Sequence, residues 1–242
     1  MISPVNFQKL YISVRKKENR IYSIDEIRKL PDVKSSDPLY KEWIIRKNTA
    51  EKFAAYIRSK PSLGAILEIG CGNGWFSNYL ASQTRATSII GLDINEFELQ
   101  QAKEAFTDPK LKWLCADIFE HDLPRDHFDI IVFNSSVQYF PDLQKLIIRV
   151  SELLKINGEI HFLDSPFYKN EDEKSSAKSR SEKYYSGLGF PEMAVYYTPH
   201  LYAELKRCNY TVKEVDSFQK KIRAAFSGKR ASPFPWIRIL KK

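Results

Sequence analysis

Cysteine is scarce in this 242-residue chain: Cys71, Cys115 and Cys208 are the whole set. An odd, widely spaced trio reads as reduced intracellular thiols and not as a disulfide framework or a zinc site. Histidine is nearly as sparse, and His121, His127, His161 and His200 lack the spacing of metal ligands, so no metal is expected. No apolar run approaches the roughly 20 residues of a membrane span. Met1 to Arg20 carries charges throughout and lacks the apolar stretch of a signal peptide. A cytoplasmic protein with no membrane partner is the expectation. There is no internal repeat and no long low-complexity segment.

The composition, 43% hydrophobic and 28% charged, is that of a globular domain. The net charge of +8 is unevenly spread. Residues 1–60 hold 14 Lys+Arg against 7 Asp+Glu, residues 61–165 hold 8 against 15, and residues 166–242 hold 16 against 8. Two basic flanks around an acidic centre are either ordinary solvated surface or a basic mouth for an anionic ligand.

Residues 1–60 read as a helical extension. Ser23-Ile24-Asp25-Glu26 is a capping box, and Pro31 ends its short helix. Asp37-Pro38 predicts an N-cap and first-turn proline for a helix over Leu39–Lys47, continued by Thr49–Ser59. From residue 65 strands and helices alternate: strands at Ala65–Ile69, Ser88–Leu92, Lys112–Ala116, Phe128–Phe133 and Glu159–Leu163, helices at Trp75–Ser82, Glu96–Phe106 and Asp142–Lys155. Asn95 with Glu98 caps the second helix, and Asn157-Gly158 turns the chain into the fifth strand. Such alternation predicts an α/β fold with a parallel sheet and right-handed crossovers. Residues 165–199 break the rhythm and read as a polar, tyrosine-rich cap inserted in a domain over 61–242. A loop of that length is functional or disordered. Thr198-Pro199 opens a helix through Cys208, and Tyr210–Val215 and Trp236–Leu240 read as final strands.

Chemistry concentrates where the first strand ends. Glu68-Ile-Gly70-Cys-Gly72-Asn-Gly74 lets backbone approach a ligand closely and leads into a helix N-terminus. The pattern is G-x-G-x-G. Trp75 stands where the third glycine of a dinucleotide fingerprint would fall, and no Gly-Lys-Ser/Thr follows, which excludes a P-loop. Asp93 ends the second strand, where a carboxylate can accept ribose hydroxyls, and Asp117 ends the third, near an adenine amino group. Ile118 follows it, placed to pack on the ring. His161 inside a strand reads as structural, and Cys71 and Cys115 as small packing residues.

In these residues the chain resembles the class I S-adenosylmethionine (SAM)-dependent methyltransferases. "ILEIGCGNGWFSNYLA" is similar to the family's first motif, "IIGLDIN" to its second, "CADIF" to its third, and "FDIIVFNSSVQYF" to the strand facing the substrate. The resemblance implies a seven-stranded, Rossmann-like, mainly parallel sheet with helices on both faces and an antiparallel last strand, matched by "PFPWIRILK". It implies SAM as cofactor, with Glu68, Gly70, Gly72 and Gly74 shaping its pocket, Asp93 and Ile94 at the ribose, Asp117 and Ile118 at the adenine, and Asn134 and Ser135 under the methionine portion. Residues 38–48 are expected to close over the cofactor, with Arg46 pairing the SAM carboxylate or an anionic acceptor.

For the acceptor, candidate general bases are Tyr139, Asp164 and His200, the last expected on the helix after the cap. Asn134-Ser-Ser-Val-Gln lacks the Pro-Pro-aromatic motif of the family's base-modifying members. The expected acceptor is a small or medium molecule bearing a carboxylate or phosphate, methylated on O or N. The cap over 166–199 is expected to act as a mobile lid that positions it. The alternatives are an RNA or protein methyltransferase that uses the basic flanks, and a non-catalytic SAM-binding module.

Overall fold

The computed structural model describes residues 4–206, 210–215 and 232–241. Three helices precede the sheet: α1 (Pro4–Lys17), α2 (Ile24–Ile27) and α3 (Tyr40–Arg58). The alternating part runs β1 (Ala65–Ile69), α4 (Trp75–Gln83), β2 (Ser88–Asp93), α5 (Glu96–Ala105), β3 (Leu111–Cys115), β4 (Phe128–Asn134), a 3-10 turn at Val137–Tyr139, α6 (Leu143–Leu153) and β5 (Leu154–Leu163). The cap follows as β6 (Phe167–Tyr168), α7 (Glu171–Leu188), a 3-10 helix at Pro191–Tyr196, β7 (His200–Leu201) and α8 (Tyr202–Lys206). The chain ends on β8 (Thr211–Glu214) and β9 (Ile237–Leu240).

The seven-stranded sheet has the order β3-β2-β1-β4-β5-β9-β8. The first five strands pair in parallel, and β9 runs antiparallel to both β5 and β8. β1 is buried at all five positions and β4 nearly so, which is why their sequences are mostly apolar, with Glu68 the polar exception in β1 and Asp129 and Asn134 in β4. One core layer lies against α6, the other against α3 and α4. Parallel strands bring the carboxyl ends of β1, β2 and β4 to one edge, with β1 between the other two. No helix among the described residues is long and apolar enough to cross a membrane.

Five local expectations need correction. Asp37-Pro38 does not cap α3: Asp37 Oδ1 accepts the Leu39 N–H at 2.7 Å in a local turn, and one 19-residue helix then starts at Tyr40. α6 stops at Leu153 because Leu154 already pairs with Phe128, and Asn157, at φ 62°, forms an irregularity inside β5 instead of preceding it. The cap is not a loop: Asn170 Oδ1 accepts the Glu173 N–H at 2.9 Å and starts an 18-residue helix. His200 is in the two-residue strand β7, paired with Phe167, and not on a helix. Cys115 is exposed, because it is the last residue of β3, a strand at the edge of the sheet. Cys208 and the expected helix beyond residue 206 lie outside the described residues.

Candidate functional site

The glycine turn after β1 forms the floor of a cleft roofed by α1, the segment behind it and α3. Gly70 sits at φ 76°, and an added Cβ would come within 2.4 Å of Ser136 Cβ, so both conformation and space demand glycine. Gly72 (φ 53°) faces the cleft, whereas the space a Cβ would need at Gly74 is filled by Trp113. Gly74 therefore fixes how α4 packs on the sheet.

Six of the site residues named from sequence come together at this cleft: Arg46, Glu68, Gly70, Gly72, Asn134 and Ser135. Glu68 is buried and accepts a hydrogen bond from Ser77 Oγ; burial drives its carboxyl up to about 8 against the opposing effect of that bond. Asn134 ends β4 with its side-chain Oδ1 buried and unpartnered among the described residues. A buried carbonyl without a donor is costly. An orphan facing a cleft marks a place where a ligand donor belongs.

Asp93 stands beside the cleft. Its Oδ2 accepts the Gly72 N–H and its Oδ1 the Asn95 N–H, each at 2.8 Å. Burial raises its pKa while those backbone donors lower it. Ile94 adjoins it, and its carbonyl is 3.8 Å from Cys115 Sγ. Asp117 Oδ1 accepts the Phe119 N–H at 2.8 Å, closing the turn after β3. Ile118 packs in the core below, and its carbonyl accepts from Arg149 Nε at 2.9 Å.

Neither His200 nor Asp164 lines the cleft. His200 is buried, with Glu204 Oε2 3.2 Å from one ring nitrogen and the Val137 carbonyl 3.3 Å from the other. Asp164 accepts from Thr49 Oγ1 at 2.9 Å, tying the end of β5 to α3. Tyr139 sits in an aromatic cluster, its ring 5.8 Å from those of Phe7 and Tyr11 and 6.5 Å from that of Tyr197. Burial raises its pKa, away from the range of a base at neutral pH.

Residues 38–48 and Arg46 were expected over the cleft, but the part of the roof supplied by α1 was not legible as a site. Tyr11 and Arg15 of α1 line the cleft, and the Arg15 guanidinium donates to the Tyr11 hydroxyl at 2.6 Å. Arg20 pairs with both oxygens of Glu42, at 2.8 and 2.7 Å, and Arg46 pairs with the same carboxylate at 2.9 Å. Burial opposes but the two arginines prevail, holding Glu42 at about 2. Arg46 also lies over the Trp43 ring, 5.3 Å from its centroid, and Trp43 meets Trp75 edge-on. Gln101 Nε2 donates to the Tyr22 carbonyl at 2.8 Å, pinning the roof to α5. Glu98 also lines the cleft. In sequence it reads as the partner of the Asn95 cap. Asn95 Oδ1 does accept the Glu98 N–H at 3.2 Å, but the Glu98 carboxylate turns toward Gly72.

Residues 67–162 match a family model described as a methyltransferase domain. Over 98 residues, 40% of this chain, it is 32% identical to a malonyl-[acyl-carrier protein] O-methyltransferase of Priestia megaterium and covers 35% of that protein. It is 29% identical over 119 residues, 49% of this chain, to a protein of the same description from Ilyobacter polytropus, covering 44% of it. The chain thus spans less than half the length of these curated relatives. Among solved structures, the plantazolicin methyltransferase BpumL in complex with S-adenosylhomocysteine (SAH) superposes with a TM-score of 0.59 at 18% identity, over 96% of this chain and 100% of that one. A phosphoethanolamine N-methyltransferase 2 of Haemonchus contortus gives 0.56 at 16% identity, over 91% and 60%. At such identities the likeness is one of fold.

Proposed function

Because residues 67–162 make this chain a member of the class I SAM-dependent methyltransferases, we propose that it transfers a methyl group to an oxygen of a small or medium, anionic acceptor. When bound, SAM supplies a methyl group activated by its sulfonium charge. The residues present fit such a group. Asn134 Oδ1 offers an unpaired acceptor to its ammonium, the Gly70–Gly72 backbone allows close approach, and Arg15 and Arg46 stand as cations above. The carboxyls of Glu68, Asp93 and Glu98, raised by burial, are placed to ionise beside a cationic ligand.

One observation carries the choice of acceptor: none of the three base candidates is poised at the cleft. His200 is engaged through both nitrogens, Asp164 is tied to Thr49, and the Tyr139 pKa is raised. A carboxylate oxygen needs no base, since it is already a nucleophile at neutral pH. For such an acceptor the chain's task is alignment and exclusion of water. The malonyl-thioester chemistry in the names of the curated relatives supports the same class. The test is incubation with SAM and a panel of carboxylates, malonyl thioesters, amines and RNA, read by product mass and SAH release. Methyl ester formation is the expected result. Transfer confined to amines or RNA overturns the reading.

A further inference from the structure

We propose that Arg15 and Tyr11, one turn apart on α1, receive the carboxylate of the methyl acceptor; the inference rests on the reading of this site as a carboxylate methyltransferase. Three arginines line the cleft, Arg15, Arg20 and Arg46, and the carboxylates of the roof do not engage them equally. Arg20 turns both terminal nitrogens to Glu42, at 2.8 and 2.7 Å, and its Nε to Glu18 at 3.3 Å. Arg46 spends its Nε and Nη2 on the same Glu42, each at 2.9 Å. Arg15 meets only the carboxylate that Arg20 also uses, Glu18, at 3.3 Å, and its other bond goes to the Tyr11 hydroxyl at 2.6 Å. A hydroxyl brings no negative charge, and burial keeps that phenol neutral, its pKa raised well above the ordinary value against the pull of Arg15. The surplus positive charge of the roof therefore rests on Arg15. Among the described residues its remaining N–H groups meet no acceptor, and the Tyr11 hydroxyl proton meets none either. An anion at this place gains donors from both side chains, an arrangement that the two oxygens of a carboxylate match.

The position of the pair favours the acceptor over the cofactor's own carboxylate. β1 lies between β4 and β2 in the sheet, so Asn134 and Asp93 mark opposite sides of the glycine turn. The amino-acid end of the cofactor belongs at Asn134, whose buried Oδ1 lacks a donor. Arg15 lies within electrostatic reach both of Tyr139, just past β4, and of Glu98, in the first turn of α5 beyond β2. It thus stands over the middle of the turn, where a ligand stretched between those ends carries its sulfonium. A carboxylate held there gives one oxygen to the hydrogen bonds and keeps the other for the methyl group. Burial disfavours the Arg15 cation, but Tyr11, Tyr139, Glu98 and Glu18 outweigh it and keep the group charged. The Tyr11 ring meets Tyr139 edge-on at 5.8 Å, so packing fixes where the hydroxyl points from.

The experiment is calorimetry on the SAH-saturated chain with the malonyl thioester of N-acetylcysteamine and with the methyl ester of that compound, alongside SAH titrated into the free chain. The wild type should bind the acid about tenfold or more tighter than the ester. Arg15→Gln should erase that difference by weakening the acid alone, with SAH affinity unchanged. Arg15→Lys keeps the charge without the fork and should retain part of the preference. Tyr11→Phe keeps the ring packed on Tyr139 and should weaken the acid severalfold, leaving the ester and SAH as they were. Equal losses for acid and ester in both Arg15→Gln and Tyr11→Phe would assign the pair to holding α1 in place. A loss for SAH as large as for the acid would assign it to the cofactor's carboxylate. Either result overturns the proposal, and so does a wild-type chain with no preference for the acid. Methyl transfer confined to amines or RNA overturns the carboxylate reading instead, and product masses show that independently of these affinities.

Discussion

A dense set of polar contacts lies away from the cleft, around Glu159. This buried carboxylate accepts from Tyr56 Oη at 2.8 Å, meets Lys60 Nζ at 2.9 Å, and lies 3.1 Å from His161 Nε2 and 3.4 Å from Arg238 Nη1. Trp236 Nε1 donates to His161 Nδ1 at 3.0 Å, so a neutral ring must carry its proton on Nε2, facing Glu159. The arrangement joins α3, β5 and β9 and satisfies every member, the condition under which buried charge is tolerated. Burial raises the Glu159 pKa, but its donors, His161 foremost, prevail and bring it to about 2. Burial lowers the His161 pKa against the pull of Glu159. The signs agree. A depressed histidine stabilises the fold above its unfolded pKa of about 6.5, and that stability is lost as pH falls below it. Glu159 contributes above its usual value of about 4.5, and its share is lost between there and about 2. His161 and Glu159 should therefore each lower the melting temperature in its own stage on acidification, set against the gain as the raised carboxyls of Glu68 and Glu98 take up protons. In His161→Gln the upper stage should shrink, and not vanish, because burial also depresses His200. An upper stage of unchanged size in that variant would remove His161 from the account.

At the scale of elements, legibility followed burial. β1, β4 and the apolar face of α6 carry their signal in sequence because the core reads every residue on one side. α7 has only Ala177 and Tyr185 buried, so its sequence lacks apolar periodicity and passes for a loop. Its two termini were readable all the same: Asn170 with Glu173 three residues later, and Gly189 at φ 86° as the stop. The cleft shows the same division. Its floor is local, one strand and one turn, and could be read from the glycines. Its roof depends on α1 arriving from more than 50 residues away in sequence, and a charged helix announces no docking face. What docks it is a cluster in which Val14, Tyr185 and Met193 are buried and Phe7, Tyr11, Tyr139 and Tyr196 pack around them. Tyr184 adds a hydroxyl bond to Glu18. Tyr185→Ala should remove about 3 kcal/mol of packing from this joint alone. Amide exchange should then speed up in residues 6–17 and in α7, while β1 and β4 keep their protection. Unchanged exchange in α1 would mean that the roof is held from the α3 side only.

For the whole molecule, the question is where the net charge of +8 acts. A basic mouth is one reading of the sequence, and the cleft qualifies it. Arg15 meets Glu18 at 3.3 Å, Arg20 meets Glu18 and Glu42, and Arg46 shares Glu42. Three guanidinium groups are thus set against two carboxylates in the roof, with Glu68, Asp93 and Glu98 below. The cations at the site are positioned donors and not a field. A field is screened over about 10 Å at ~0.1 M salt, whereas partly buried pairs in contact are screened far less. SAH affinity should therefore change by less than about threefold between ~50 and ~500 mM sodium chloride. A site that held a polyanion through six or more phosphate contacts would lose about a thousandfold or more over a comparable range. Calorimetric titrations at both salt concentrations decide between these outcomes. A steep fall would mean that the arginines exchange Glu18 and Glu42 for the ligand, and that the ion pairs of the roof open when it binds.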